Sequence, residues 1–336
     1  MSRPNEKNPR NNKKSNKRGK KLLNVAVAVI VISSLLIIGV FALLRINNCK
    51  SLNEFFRRIR DDIPPTIEVE DEINIFDGYE LDLSDKKLVK VSDNSDNNND
   101  IKVSVSGDID TNKKGKYDIK IVAKDKSGNK SEKDVIVNVI DENDVKEGVT
   151  FYTRKGYKGE CKGGITKIDG TIIANKSFTV SPDYNPGSLT DEAKQAWDEM
   201  VSVASQDGIN LKIVSGFRSY NTQQNLYKNY VASDGKANAD RYSARAGYSE
   251  HQTGLAADIN LVEDEFKNSK EGKWLANNAG KYGWILRYPY GKENLTGYMP
   301  EPWHYRFVGK DLSQKVFDNG EWTTLEEYFG IKSEYA

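Results

Sequence analysis

Cysteine and histidine are scarce in this chain, whose 336 residues include only two of each. Cys49 and Cys161 lie far apart in the sequence, and two isolated cysteines do not make the disulfide framework of a small secreted domain. We expect unpaired thiols without a role, with a single bridge between them as the alternative. Folded domains in this chain must therefore be stabilised by their hydrophobic cores.

The chain also lacks a net charge of either sign, since 50 Lys and Arg balance 49 Asp and Glu. It shows no basic groove interleaved with aromatic side chains, which argues against a nucleic-acid partner. The basic residues are instead concentrated in the first 21 residues, where Glu6 is the only acid. This asymmetry is more informative than the total charge.

An uncharged, mostly aliphatic run extends over 23 residues, from Leu22 to Leu44. A helix of that length rises about 1.5 Å per residue and can cross a hydrocarbon core of about 30 Å. The alternative is a cleaved signal peptide, but its apolar region would be about 7–15 residues long and would end at small residues. Six Lys and Arg residues between Lys13 and Lys21 precede the run, so the positive-inside rule places the N-terminus in the cytoplasm.

These features predict a single-pass protein of the cell membrane. It would have a basic cytoplasmic tail (1–21), a transmembrane helix (22–44), a charged stalk (45–62) and an extracellular body.

Residues 63–141 show short runs in which apolar and polar residues alternate, such as Val103–Val105 and Val135–Val139, separated by turn signals. This spacing is typical of a small antiparallel sandwich. The Lys116–Asp118 and Ala123–Asn129 segments resemble bacterial immunoglobulin-like surface domains, so we interpret the region as an all-β spacer. Its Asp-rich stretch, Asp93–Asp100, is favoured as a solvated loop over a calcium site, because it lacks the spacing of an EF-hand.

A Gly- and Lys-rich linker is expected at 142–163, followed by a last domain at 164–336. There, helical periodicity with a possible capping box (Ser188 and Asp191) alternates irregularly with short apolar strands such as Leu211–Val214. The mixture lacks a regular βαβ pattern, so we predict an α+β fold with helices around a small antiparallel sheet.

Both histidines of the chain, His251 and His304, lie in this last domain. Two histidines could be structural, but Asp258 interrupts an apolar strand close to the first, and a carboxylate there is costly unless it is paired or bound to a metal. Two imidazoles and one carboxylate are a typical catalytic zinc set that leaves one position open. Glu301 precedes His304 by three residues and is the natural general base, with orientation of His304 as its alternative role.

Several motifs together resemble the VanY and VanX group of zinc D-alanyl-D-alanine peptidases. They are Ser249-x-His251-x-x-Gly254-x-Ala256-x-Asp258, Glu301-x-x-His304 and Ser215-Gly216-Phe217-Arg218-Ser219, within a similarity that runs from about Ile165 to Tyr328. The resemblance implies Zn²⁺ on His251, Asp258 and His304, with Glu301 as base and Arg218 beside the scissile carbonyl.

By the same resemblance, Gln223 and Ser249 line the substrate groove, and Arg245 and Arg287 are weaker candidates for binding the terminal carboxylate. Ala246 departs from the proline that relatives commonly have, which puts the placement of Arg245 in doubt.

The resemblance and the topology together predict a membrane-anchored extracellular zinc carboxypeptidase that removes terminal D-alanine from the stem peptides of peptidoglycan. An L,D-carboxypeptidase acting on tetrapeptide stems is the alternative within enzymes, and a hydrolase of free dipeptides suits a tethered protein less well. A non-catalytic wall-binding module is the alternative from another class. All three ligands and the base are present, which favours the enzyme.

Overall fold

The computed structural model describes residues 10–46, 49–53, 55, 61–83, 88–318 and 321–335. Of these, the residues within Met1–Glu68, Lys86–Ser104 and Ile121–Lys133 form one compact unit. Those within Val69–Asp85, Val105–Lys120 and Asp134–Ala336 form a second unit, which contains all the candidate site residues.

The first helix, α1, spans Arg10–Ile46 and includes the whole apolar run. Its window Val27–Ile46 has a mean hydropathy of 3.0 and is almost entirely exposed. Length and composition therefore suit a membrane span, and an N-terminal signal sequence passes the same test.

The next part of the chain is rich in strands, as the alternation predicted. The strands are β1 Thr66–Glu68, β2 Glu72–Phe76, β3 Lys90–Ser92, β4 Lys102–Ser106, β5 Gly115–Lys124 and β6 Lys130–Ile140. β1 pairs antiparallel with β3, but β2 runs parallel to β6, so the prediction of a purely antiparallel sandwich was wrong at that pair. Alternation reports which face of a strand is buried and not the direction of its neighbour.

The Asp-rich stretch forms bends and turns, in agreement with the loop that we predicted. Asp93 Oδ1 accepts hydrogen bonds from the backbone N–H groups of Ser95 and Asp96. Carboxylate oxygens of Asp61, Asp93 and Asp125 lie within 4.8 Å of one another, and close acidic groups are common without a bound ion.

The segment at 142–163, predicted as a linker, contains regular structure: a 3-10 helix at Glu142–Asp144 and the strands β7 Thr150–Tyr152 and β8 Lys158–Lys162. β7 pairs with β2 and β8, and the sheet continues through β9 Ile165–Ile168 to β10 Thr171–Ile173. Gly159 faces the Phe151 ring, which a Cβ would approach to 2.3 Å. A glycine that suggested flexibility is therefore needed for close packing.

The last domain is α+β, as predicted, with a four-stranded antiparallel sheet in the order β11–β12–β14–β13. Its strands are β11 Ile213–Ser215, β12 Ala256–Ile259, β13 Trp284–Leu286 and β14 His304–Phe307, followed by the short pair β15 Phe317–Asp318 and β16 Glu321–Trp322. Its helices are α2 Asp191–Gln206, α3 Tyr220–Asp234, α4 Lys236–Tyr242, α5 Lys270–Asn278, α6 Glu293–Thr296, α7 Lys310–Lys315 and α8 Leu325–Phe329. 3-10 turns lie at Glu250–Thr253, Asp264–Asn268 and Ala279–Tyr282.

Helix α2 packs against the sheet, and the contact between them forms the core of this domain. Its predicted apolar face is buried, and Trp197 packs edge-on against Trp284 of β13. Thr190 is the N-cap of this helix, and its side chain accepts a hydrogen bond from the Ala193 backbone N–H. The capping box predicted at Ser188 and Asp191 was therefore wrong. Thr190 satisfies the same requirement, an acceptor for the unpaired N–H groups of the first turn.

Candidate active site

Two of the candidate ligands are direct neighbours across the central sheet. Asp258 of β12 is opposite His304 of β14 in the antiparallel register, so their side chains project from the same face. The Nδ1 atom of His304 lies 3.1 Å from Asp258 Oδ1. Strand pairing therefore joins two residues that are 46 positions apart in the sequence.

The third candidate, His251, lies in the 3-10 turn Glu250–Thr253, directly before β12. The turn ends at Gly254, which adopts a left-handed conformation with φ of 70°. A Cβ at this position would lie 2.5 Å from the Ser188 carbonyl oxygen. Gly254 therefore allows the chain to reverse tightly between His251 and Asp258.

The imidazole nitrogens have distinct partners. His251 Nδ1 lies 2.6 Å from the Gly216 carbonyl oxygen, which can only accept, so Nδ1 carries the proton and Nε2 keeps its lone pair. That Nε2 atom is 3.3 Å from Asp258 Oδ2. Donor atoms of His251, Asp258 and His304 all lie within 4.8 Å of one another, and all three residues are buried. The donor set fits a zinc ion with three protein ligands.

The electrostatics of this cluster favour a positive charge at its centre. Burial raises the pKa of Asp258, but the two imidazoles lower it further, to well below its usual range. Burial also lowers the pKa of His304, whereas hydrogen bonds to Asp258 and Glu250 raise it to about 9. The carboxylates thus stabilise a proton on His304. The same negative charges would stabilise a metal cation.

Glu301 lies at the edge of the cluster. It begins a turn in which the His304 backbone N–H donates to its carbonyl oxygen. The Glu301 Oε2 atom is 3.5 Å from His304 Nδ1. Burial raises the pKa of its carboxyl to about 7, a range suited to a general base at neutral pH.

Arg218 is aimed at the cluster by two side chains. Its Nη1 donates to Gln223 Oε1 and its Nη2 to Ser215 Oγ, each at 2.8 Å. The Nη2 atom is also 3.6 Å from Asp258 Oδ2. We had assigned no role to Ser215; its position three residues before Arg218, at the end of a strand, was the available signal.

A cavity of about 400 Å³ opens at these groups. Its polar lining includes Arg218, Gln223, Ser249, Glu250, His251, Asp258, Glu301 and His304, and its apolar lining includes Leu226, Tyr230, Tyr242, Val262, Tyr288, Tyr298, Met299 and Trp303. Gln223 and Ser249, which the resemblance implies as substrate-groove residues, are among those that line this cavity.

The two weaker substrate candidates do not line this cavity. Arg245 forms an ion pair with Asp240 at 2.8 Å and lies over the Tyr335 ring. Arg287 is fully buried between Glu250 and Glu326. Each guanidinium is instead paired with a carboxylate of the protein itself.

Glu250 also lies at the cluster, although the sequence analysis did not single it out. Its carboxylate is fully buried, receives hydrogen bonds from Arg287 and Arg306, and lies 3.3 Å from His304 Nε2. The sequence signal that could have identified Glu250 is its charge. It lies directly before a candidate ligand, in a segment that is otherwise buried.

Comparison with known proteins is consistent with this geometry. Residues 187–310 match the family model VanY, D-alanyl-D-alanine carboxypeptidase, and residues 65–139 match a model for the Ig-like domain of bacterial surface proteins. The chain is 35% identical over 220 residues to the putative carboxypeptidase YodJ of Bacillus subtilis, covering 55% of this chain and 80% of that protein.

A D-alanyl-D-alanine carboxypeptidase of Enterococcus faecium is 38% identical over 147 residues, covering 44% of this chain and 45% of that protein. Among solved structures, the LD-carboxypeptidase LdcB is 43% identical with a TM-score of 0.48, covering 53% of this chain and 98% of that one. The chain belongs to the VanY family of D-alanyl-D-alanine carboxypeptidases and carries a bacterial Ig-like domain ahead of the family domain.

Proposed function

We propose that the protein is a zinc carboxypeptidase that removes the terminal D-alanine from peptidoglycan stem peptides. The observation that carries the proposal is the buried convergence of His251, Asp258 and His304 beside Glu301, at the bottom of an open cavity. A wall-binding module without activity would not need to keep all four groups in this arrangement.

His251 Nε2, one Asp258 oxygen and His304 Nδ1 would hold the zinc. When bound, zinc polarises the scissile carbonyl and lowers the pKa of water toward neutrality. Asp258 is the only carboxylate among the three, so the site keeps a net positive charge for that chemistry.

Glu301 takes the proton from the attacking water and later gives it to the leaving amine. Its burial supports this role, because a carboxyl whose pKa is raised to about 7 can both accept and return a proton near neutral pH. The 3.5 Å distance from its Oε2 to His304 Nδ1 supports the same role.

Arg218 stabilises the negative charge that develops on the carbonyl oxygen. The hydrogen bonds that Arg218 donates to Gln223 and Ser215 hold its guanidinium before substrate arrives, so little ordering is left to the reaction itself. Ser249, which lines the cavity, contacts the substrate in this proposal.

A D-alanyl-D-alanine end is the substrate we propose, since the Enterococcus faecium relative is named for that activity. Helix α1 supports attachment to the cell membrane through its exposed apolar window, with the N-terminus in the cytoplasm and the cavity outside, facing the wall.

The test is to incubate the purified full chain with stem tri-, tetra- and pentapeptides, with zinc, with chelator, and with chelator followed by zinc. We expect trimming of the pentapeptide only, abolished by chelator and restored by zinc. Trimming of the tetrapeptide would establish L,D-activity instead. Failure to trim any stem in the presence of zinc would refute the enzyme and leave the wall-binding module.

A further inference from the structure

We propose that Glu250 is a positioning residue that holds the His304 ring with Nδ1 toward the metal and Nε2 away from it. The proposal rests on the zinc site proposed above and adds a group to which no role has been assigned. Glu250 does not touch the reacting atoms, so it would act only through His304.

The two nitrogens of His304 face different carboxylates. Nδ1 points to the ligand cluster, 3.1 Å from Asp258 Oδ1, and Asp258 Oδ2 is in turn 3.3 Å from His251 Nε2. Nε2, on the other side of the ring, lies 3.3 Å from Glu250 Oε2. A metal among the three ligands therefore meets Nδ1, and the Nε2–H group is left to donate to Glu250.

The two oxygens of Glu250 have separate partners. Oε1 accepts hydrogen bonds from Arg287 Nε and Arg306 Nη1, both at 2.8 Å. Oε2 is thereby left to His304. Two guanidinium groups against one carboxylate keep Glu250 ionised in a fully buried position, and an ionised carboxylate can only accept a hydrogen bond.

A carboxylate that accepts from a ligating imidazole fixes both the tautomer and the direction of the ring. Removal of such a partner typically weakens metal binding about 10- to 100-fold. If Glu250 were only a counter-ion to two buried arginines, its removal would lower the stability of the fold. Zinc affinity would then change only as far as that loss of stability requires.

Glu326 offers a matched control within the same buried network. Its two oxygens accept from Arg287 Nη2 at 2.6 Å and Nη1 at 2.8 Å, and from Asn175 at 3.0 Å. None of the contacts described for Glu326 reaches a candidate ligand. Glu326→Gln therefore removes a carboxylate from Arg287, as Glu250→Gln does, but spares His304.

The first experiment needs no variant. The chain contains only two histidines, so selective ¹⁵N-histidine labelling of the zinc-loaded full chain gives four ring nitrogens to assign by long-range NMR correlation. We expect His304 with a protonated Nε2 and a zinc-shifted Nδ1, and His251 with the opposite pattern. Zinc on Nε2 of His304 would overturn the inference and leave the proposed function intact, whereas absence of zinc binding would refute the function itself.

The second experiment measures the zinc dissociation constant by chelator competition, together with the thermal midpoint of the metal-free chain. Glu250→Gln should weaken zinc binding at least tenfold, while Glu326→Gln should change it less than about threefold. Glu250→Asp keeps the charge beside the arginines but withdraws the oxygen from His304, so it should weaken zinc binding with a smaller loss of stability. If Glu250→Gln fails to fold, Glu250→Asp is compared with Glu326→Gln in its place. Equal zinc affinities for the Glu250 and Glu326 variants would show that Glu250 is only structural.

Discussion

Gln223 accepts a 2.8 Å hydrogen bond from Arg218 at the edge of the ligand cluster. The Gln223 amide also donates to the Ala244 carbonyl oxygen at 2.6 Å, so the side chain is fixed at both ends. Gln223 thus lines the cavity, as predicted from family resemblance, and at the same time orients the cationic group of the site.

The Arg218–Gln223 pair predicts coupled effects on catalysis. Arg218→Ala should lower kcat/KM about 10²- to 10³-fold, the size expected for loss of one donor to a developing oxyanion. Gln223→Met should cost about tenfold in the normal protein and little in the Arg218→Ala background, because the two act as a unit. Steady-state kinetics on the stem pentapeptide measure both, with Gln224→Met as a neighbouring control. Additive losses would show that Gln223 acts independently of Arg218.

Glu301→Gln should abolish turnover and leave the metal in place. The amide keeps the shape of the side chain but cannot accept a proton, and loss of a general base typically costs about 10²- to 10⁴-fold. Activity and zinc content by elemental analysis, measured on the same sample, check this. Glu293→Gln, at a half-exposed glutamate that pairs with Arg241, is the control. Retained turnover in Glu301→Gln would remove Glu301 as the base.

Gly254→Ala should destabilise the domain more than a comparable change elsewhere. Gly254 and Gly291 have similar positive φ angles, 70° and 76°, but only at Gly254 does a Cβ meet backbone, the Ser188 oxygen at 2.5 Å. Gly291→Ala should cost about 1–2 kcal/mol from the left-handed backbone alone, which is about 2–8 °C in the thermal midpoint.

The Gly254 variant should lose more than that and should bind zinc more weakly, because the turn that carries His251 must shift. Thermal unfolding of both variants provides the comparison. Equal losses would mean that the turn can absorb the methyl group.

Asp77 should make stability depend on pH in the acid range. Burial raises the pKa of its carboxyl, but Arg154 and Lys332 lower it further, to below its usual value. A lowered folded-state pKa means that the ion pairs stabilise the protein above the unfolded-state pKa of about 3.9 and lose that contribution as pH falls through the folded-state value.

Asp77→Asn should therefore cost on the order of 1–2 kcal/mol at pH 7, and the difference from the unmodified chain should shrink toward zero as the pH falls through and below the usual carboxyl range. Thermal midpoints of both proteins across this range measure it, with the exposed Asp108→Asn as control. A difference that stays constant with pH would show that the carboxylate charge is not responsible.

Local patterns predicted much of the fold of the last domain. The face of α2 that carries Trp197 and Met200 is buried as its periodicity indicated, because helical spacing alone decides which side chains share a face. The parallel pairing of β2 with β6 and the strands of the 142–163 segment escaped prediction. Both depend on contacts between distant parts of the chain, such as Phe151 with Phe76 and Phe178.

The sequence was sufficient to nominate the candidate ligands, because a chain with two histidines and one carboxylate in a buried strand leaves few other sets of donors. Only the tertiary structure decided how they are oriented. The register of β12 with β14 sets Asp258 against His304, and the buried arginines turn Glu250 toward the far nitrogen of that ring. The same burial keeps Arg287 off the cavity wall, because its guanidinium is paired in the core with Glu250 and Glu326.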